Sequence, residues 1–304
     1  MQFCVLGTKA GGAPLVHKHA SATALLIGGS EVLLFDCAED TQTQLLRAGI
    51  SRAHINHIFL SHLHGDHILG LLPLLTTMSG EKRTAPLHIY TPPGLKEFVE
   101  VGMKVMDVIP SFPLIFHTLE SPERTEIAVI QQYRIFAQLL EHRIPSFGFR
   151  VDEPPHRNVD IQKARALGIE EGAVIGRIKR EGYAILPDNR IIQFDDIAVT
   201  PQRPQHSFVY CGDTRKCRAT IELAYRATVL LHEATFCSDA SDKAYERFHC
   251  TSIDAAEVAR DAEVQRLYLT HISVRYPSGT PLLHEACSVF PATSLAQELE
   301  IVTI

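Results

Sequence analysis

Three imidazoles and a carboxylate fall within six consecutive positions of this chain, in the string Ser61-His62-Leu63-His64-Gly65-Asp66-His67. Nothing else in the sequence restricts the fold so tightly. The string directly follows the apolar run 57–60. A strand there would end at the string and present it as a loop at its C-terminal tip, where α/β proteins place ligands. Groups of this kind are costly to bury without partners. Neutral imidazole is the commonest metal ligand, and carboxylate suits borderline and harder ions. Alternation along an extended loop puts His62 and His64 on one side. Asp66 and His67 are then free to turn towards a second ion. One histidine at this place would be read as structural; four ligand-type residues at this spacing reverse that reading.

The rest of the chain supplies a scaffold for such a loop. Strand-like segments at 3–6, 24–27, 32–35, 57–60 and 87–90 alternate with helix-like stretches at 41–48 and 95–105. The second half repeats the theme, with strands at 207–211, 227–231 and 266–269 and an Ala-rich helix at 252–261. This pattern predicts one layered α/β domain over residues 1–304. It is interrupted by an inserted arm at about 151–186, polar and carrying Pro154 and Pro155, with a short helical piece at 160–167. Insertions of that length are usually functional. An apolar content of 45% excludes a disordered chain. The formal net charge is -6, so any nucleic-acid contact must come from local basic clusters or from metal ions. Seven scattered cysteines without a CxxC pair argue against a disulfide framework and for a cytoplasmic protein. The N-terminus reads as a first strand, not as a signal peptide. No apolar stretch approaches the roughly 20 residues that span a bilayer.

The HxHxDH string resembles the signature of the metallo-β-lactamase superfamily, which hydrolyses many kinds of ester and amide. Other segments are similar to one branch of it, the tRNase Z (ribonuclease Z) family. His142-Arg143-Ile144-Pro145-Ser146-Phe147-Gly148-Phe149-Arg150 resembles its H-x-x-P-S-F-G-Y-R segment. Gly212-Asp213 follows a strand, as the family's bridging aspartate does. His232-Glu233-Ala234-Thr235 matches its HEAT motif, and His249-Cys250-Thr251 occupies the place of its H-S-T motif. Thr270-His271-Ile272-Ser273-Val274-Arg275-Tyr276 matches its final ligand segment, so the resemblance runs the length of the chain.

The resemblance implies a four-layer α/β-β/α sandwich with two central mixed sheets and a projecting arm. It implies two metals, one held by His62, His64 and His142, the other by Asp66, His67 and His271, with Asp213 bridging. Nitrogen- and oxygen-rich ligation suits two Zn²⁺ ions per subunit, with manganese as a substitute. Asp66, His249 and Glu233 are the expected catalytic residues. His249, oriented by Glu233, would protonate the leaving 3′ oxygen, and His232 would support structure. The implied reaction is hydrolysis of precursor tRNA, leaving a 3′-OH on the tRNA and a 5′-phosphate on the trailer, in a homodimer. Arg275 and Arg143 are expected to hold phosphates, as are Arg177, Lys179 and Arg180 in the arm. Phe147 and Phe149 could stack on bases or lie in the core. Two other readings stay open: a phosphodiesterase of small or cyclic substrates, and a non-catalytic RNA-binding scaffold.

Three segments depart from the family. Its Gly-Thr-Ser-Ala-Gly reads Gly7-Thr8-Lys9-Ala10-Gly11 here. In its FDCGEGTQ, Ala38 and Asp40 replace both glycines, which would strain any positive φ required there. Asp36 of that segment is expected to support the metal loops from behind. The arm lacks the family's Gly-Pro element and carries Glu170 and Glu171 instead.

Overall fold

The computed structural model describes residues 1–154, 158–169, 172–199 and 206–304; His156, Glu170 and Glu171 lie outside them. Two seven-stranded mixed sheets form the centre of the main unit. In chain order the strands are β1 (Gln2–Gly7), β2 (Ala22–Ile27), β3 (Glu31–Phe35), β4 (Ile55–Phe59), β5 (Leu87–Thr91), β6 (Leu114–Thr118), β7 (Thr125–Ile130), β8 (Tyr133–Leu140), β9 (Ser146–Asp152), β10 (Tyr183–Ile185), β11 (Ile191–Gln193), β12 (Ser207–Cys211), β13 (Val229–Glu233), β14 (Arg266–Thr270), β15 (Thr293–Leu295) and β16 (Ile301–Thr303). One sheet runs β16-β1-β2-β3-β4-β5-β6, the other β15-β14-β13-β12-β9-β8-β7. From β3 to β6 and from β12 to β15 the strands are parallel.

Strand periodicity divides the core into layers. On β4, Phe59 points inwards between the sheets while Ile58 points to the helices outside. The inner layer is aromatic: Phe35 stacks on Phe59 (5.2 Å between centroids) and Tyr210 (5.5 Å), and Phe59 meets Phe149 edge-on at 5.5 Å. Phe147 and Phe149 are both buried in this layer, which settles them as core residues. Outside the first sheet, helices Thr41–Arg47, Leu71–Gly80 and Leu95–Val105 cover an aliphatic cluster containing Leu45, Leu74 and Val99. Outside the second, Arg218–Ala224, Ser252–Asp261 and Thr280–Val289 do the same with Leu223, Ala255, Ala259 and Leu282. The result is the four-layer sandwich expected from the sequence.

The inserted segment forms its own compact unit, Glu153–Gln205, which differs at both ends from the 151–186 read from composition. Val151 belongs to β9 and is fully buried in the main core. At the other end, Ile192, Phe194 and Ile197 join Ala164, Ile169 and Ile178 in a small separate core. The apolar content of this stretch was masked by intervening charges. The expected short helix is present as Ile161–Ala166, with the Asp160 carboxylate accepting from Gln162 and Lys163 amides. Arg177, Lys179 and Arg180 lie on helix Gly172–Glu181 and are all exposed, while Ile178 between them is buried.

The glycine replacements leave a trace. Asp40 adopts φ 67° at the start of helix Thr41–Arg47, with no side-chain cap bond, while Ala38 is not strained. A left-handed non-glycine residue costs about 1 kcal/mol. Asp40→Gly is therefore expected to stabilise the protein by up to about 1 kcal/mol, net of glycine's extra unfolded-state entropy. A higher Tm in thermal melts supports this; a lower one means that the Asp40 side chain contributes something larger than the strain.

Candidate metal centre

The sequence string emerges where expected. Beyond β4, residues 61–64 form a loop in which His64 is extended, and residues 65–68 form a single helical turn. The loop is tied at both ends: the Phe147 amide donates to Ser61 O (2.8 Å), and the Cys37 amide to His67 O (2.8 Å). Other loops converge on it from the C-terminal tips of the parallel strands. Asp36 follows β3, Asp213 follows β12, Glu233 ends β13, His271 follows β14, and His142 lies in the β8–β9 connection. Gly212 lets the β12 loop come this close, since a Cβ there would sit 2.6 Å from Ser61 Oγ.

The side chains form two adjoining clusters. His62, His64, His142 and Asp213 make one, and Asp66, His67 and His271 the other, with ligand atoms within 4.8 Å of each other in each. Asp213 faces both. Its Oδ2 lies 3.6 Å from His62 Nε2, and its Oδ1 lies 3.5 Å from His67 Nε2 and 3.3 Å from His271 Nε2. Asp66 Oδ2 is 3.5 Å from His271 Nε2. Three buried atoms here, His67 Nε2, His271 Nε2 and Asp213 Oδ1, have no hydrogen-bond partner. Buried polar atoms are normally paired. Converging nitrogen and oxygen atoms without partners fit a divalent cation.

The far sides of four of the five rings are already engaged. His67 Nδ1 donates to Asp36 Oδ2 (2.6 Å), and His142 Nδ1 to Phe248 O (2.8 Å). His62 Nδ1 meets Ser61 Oγ (3.0 Å), whose hydroxyl donates to Asp36 Oδ2 (2.8 Å). His271 Nδ1 meets Thr235 Oγ1 at 3.0 Å. These bonds turn the Nε2 lone pairs of His62, His67, His142 and His271 to the centre, whereas His64 presents Nδ1 there, 3.0 Å from His62 Nε2, with its own Nε2 3.5 Å from Arg143 Nη2. Of the supporting residues, Asp36 was legible in the sequence. Tyr210, whose hydroxyl donates to Asp36 Oδ2 (2.6 Å), was not: it looks like any inward aromatic of a core strand.

Charge follows the same plan. Burial, and the neighbouring imidazoles, push His62 well below the ordinary histidine value, and burial also lowers His64 and His142. Burial opposes ionisation of Asp213, yet His271 and His67 hold it well below the usual carboxylate range. Burial likewise disfavours a charged His67, but Asp213 and Asp36 raise it well above the ordinary value. A divalent cation held here would take the place of that proton.

His249 lies beside the clusters, close enough to Asp213 and His271 to form a third possible ligand group with them. Its Nδ1 is 2.8 Å from Glu233 Oε1. Glu233 is fully buried and also accepts from the Thr214 amide (3.0 Å) and the Thr235 hydroxyl (2.7 Å). Burial alone would lower the pKa of His249; Glu233, with Asp213 behind it, raises it to about 9. His232 is buried with its Nδ1 on Glu233 O (2.6 Å) and does not line the cavity. The cavity over the centre has a volume of about 810 Å³ and is lined by His64, Asp66, His142, Asp213, His249 and His271, with Arg143 and Arg275 at its wall. Lys243 and Arg247, not singled out by the sequence reading, also line it.

Comparison with known proteins finds likeness over the whole chain. A family profile described as Anti-Pycsar protein Apyc1 matches residues 1–143, and one for the β-lactamase superfamily domain matches residues 195–272. Ribonuclease Z of Enterococcus faecalis is 40% identical over 100% of this chain and 97% of its own length. Ribonuclease Z of Gloeothece citriformis is 39% identical over 98% of this chain and 94% of its own. The crystal structure of human tRNase Z, short form, superposes with a TM-score of 0.72 at 27% identity, covering 100% of this chain and 99% of that one.

The second-layer bonds carry a measurable consequence. Asp36→Ala frees His67 to rotate and is expected to weaken metal affinity about 10–100-fold. Competition with a fluorescent zinc chelator measures this; wild-type affinity would show that Asp36 does not orient the site.

Proposed function

The chain belongs to the ribonuclease Z family, and from that membership we infer that it is an endoribonuclease that cleaves precursor tRNA on its 3′ side at the metal centre described above. The observation that carries the residue assignment is Asp213, whose two carboxylate oxygens face different ligand clusters. His62, His64 and His142 would hold one divalent ion, Asp66, His67 and His271 a second, and Asp213 both. All are nitrogen or oxygen donors, which suits zinc or manganese. When bound, the ions polarise the phosphodiester and activate water for in-line attack.

The chain's own residues supply the proton. His249 carries it, with Nδ1 fixed by Glu233, so the other ring nitrogen is left to donate to the departing 3′ oxygen. A buried Glu233 that already accepts from Thr214 and Thr235 is held rigidly for this purpose. Arg143 and Arg275 at the cavity wall are suited to hold phosphate oxygens. The exposed Arg177, Lys179 and Arg180 make the arm a polyanion-binding unit in an otherwise acidic protein. The family resemblance supports a cytoplasmic homodimer in which one subunit's arm serves the partner's substrate.

His249→Ala is expected to keep its metals and lose about 10²–10⁴-fold in rate on precursor tRNA. The loss should shrink with a nitrophenolate leaving group, which needs little protonation; equal losses on both substrates would remove the general-acid role. A general acid must be protonated, so the rate falls as pH rises through its pKa. Glu233 raises that pKa. Glu233→Gln should therefore move the falling limb of the pH–rate profile to lower pH, and an unmoved limb would contradict the assignment.

The inserted unit can be excised cleanly, because Asp152 and Ser207 are directly paired across β9 and β12. Replacing residues 153–206 with a short glycine turn leaves every proposed metal ligand in place. Such a protein should hydrolyse an aryl phosphodiester, while its KM for precursor tRNA rises about tenfold or more and depends less steeply on salt. Normal processing by the folded deletion would show that the unit is not a tRNA clamp.

A further inference from the structure

Helix Ser241–Arg247 runs directly into His249, and two of its residues, Lys243 and Arg247, line the metal cavity. Four apart in sequence, they share one face of the helix. Outside the histidine and aspartate cluster, the charged groups of the cavity wall are Arg143, Lys243, Arg247 and Arg275; among the described residues no other carboxylate lines it. Lys243 is half-buried, with its ammonium 5.8 Å from the centre of the Phe236 ring. Its pKa is lowered by desolvation and then by the charges of Arg275 and Arg247. Among the described residues no carboxylate forms an ion pair with Lys243, Arg247 or Arg275. Like charges gathered on a concave wall without ion-pair partners destabilise the free protein and are relieved by a bound polyanion.

The helix bearing these cations is a firm platform. The Arg215 guanidinium lies against the rings of Tyr245 (3.8 Å) and Phe248 (3.6 Å), and its Nε donates to Tyr245 O at 2.8 Å. Phe248, in a left-handed conformation at φ 60°, ends the helix and offers its carbonyl to His142. The His249 amide then closes on Ala244 O at 2.9 Å. One short segment thus sets both the two cations and the proposed acid.

We propose that Lys243 and Arg247 form a second phosphate subsite on the leaving-group side of the cavity, taking the backbone phosphate immediately 5′ to the scissile one. The side follows from continuity: the same segment carries His249, and the oxygen that His249 protonates belongs to the last nucleotide retained by the tRNA. The next phosphate on that strand is therefore the one within reach of the helix preceding His249. This placement rests on the reading of His249 as the leaving-group acid. It gives the site a means of preferring a strand with a continuous backbone on the 5′ side over a lone phosphodiester.

A substrate carrying one uncharged linkage tests the subsite. Precursor tRNA with a methylphosphonate between the last two nucleotides of the tRNA body is compared with its phosphate counterpart of identical sugar. The enzymes are wild type, the Lys243→Ala/Arg247→Ala pair, and the charge-keeping Arg247→Lys. Wild type should lose about tenfold in KM with the methylphosphonate and little in kcat, a typical size for one charged contact. The double variant should start with KM raised by a similar factor and lose little more. Its salt slope should be flatter by roughly 0.7–0.9 per lost contact. Arg247→Lys should retain part of the wild-type KM. The same methylphosphonate penalty in wild type and double variant, or a wild-type KM in the double variant, would overturn the subsite. The wild-type arm with the two substrates needs no substitution, so a folding defect cannot hide the answer. A wild-type enzyme that leaves the phosphate-linked precursor uncut overturns the family reading, and the subsite with it.

Discussion

The site depends first on Asp36, a carboxylate sealed between the two sheets. It accepts from the Ser61 amide (2.7 Å), the Ser61 hydroxyl (2.8 Å), His67 Nδ1 (2.6 Å) and the Tyr210 hydroxyl (2.6 Å). Three of these donors lie on the loop after β4, and the fourth reaches over from β12. One anion therefore fixes the metal loop to its own sheet and to the opposite one. The residue also sits at φ 55°, which costs about 1 kcal/mol in a non-glycine residue. Hydrogen bonds to a charged group contribute about 1.5–3 kcal/mol each, so four of them outweigh the strain. The balance differs at Asp40, whose similar φ is accompanied by no side-chain cap bond.

The metal centre follows from that support. With their Nδ1 atoms occupied from behind, His62, His67, His142 and His271 aim Nε2 at the centre, and His64 adds its Nδ1. Buried atoms without partners accumulate there, which suits a divalent cation. An acidic chain with a net charge of -6 can act on a polyanion for the same reason. Its negative charge at the site is placed where a divalent cation would neutralise it, and the surrounding wall carries Arg143, Lys243, Arg247 and Arg275.

Much of this was legible in the sequence, for reasons that differ between elements. The loop 61–67 was readable because metal ligands need particular side chains at fixed spacing, and chance rarely supplies them. Strands such as β3 and β12 were readable as short apolar runs. Strands β6 and β7 were not, because they are mostly half-buried or exposed and carry mixed residues that resemble loop sequence. The inserted unit was seen but cut short at 186, since Phe194 and Ile197 find their partners only through the fold. Tyr210 gave no signal, because an aromatic hydroxyl on a core strand declares its partner only in three dimensions. Lys243 and Arg247 looked like an ordinary solvated helix face until the cavity placed them beside His249.

The claim on which the rest stands is that Asp213 is shared between two cations. Crystals grown with zinc and measured on either side of the zinc absorption edge test it directly. The account predicts two anomalous peaks about 3.5–4 Å apart. One should be held by His62, His64 and His142, the other by Asp66, His67 and His271, with one Asp213 oxygen on each. A single peak, or two peaks with Asp213 touching only one of them, would contradict it.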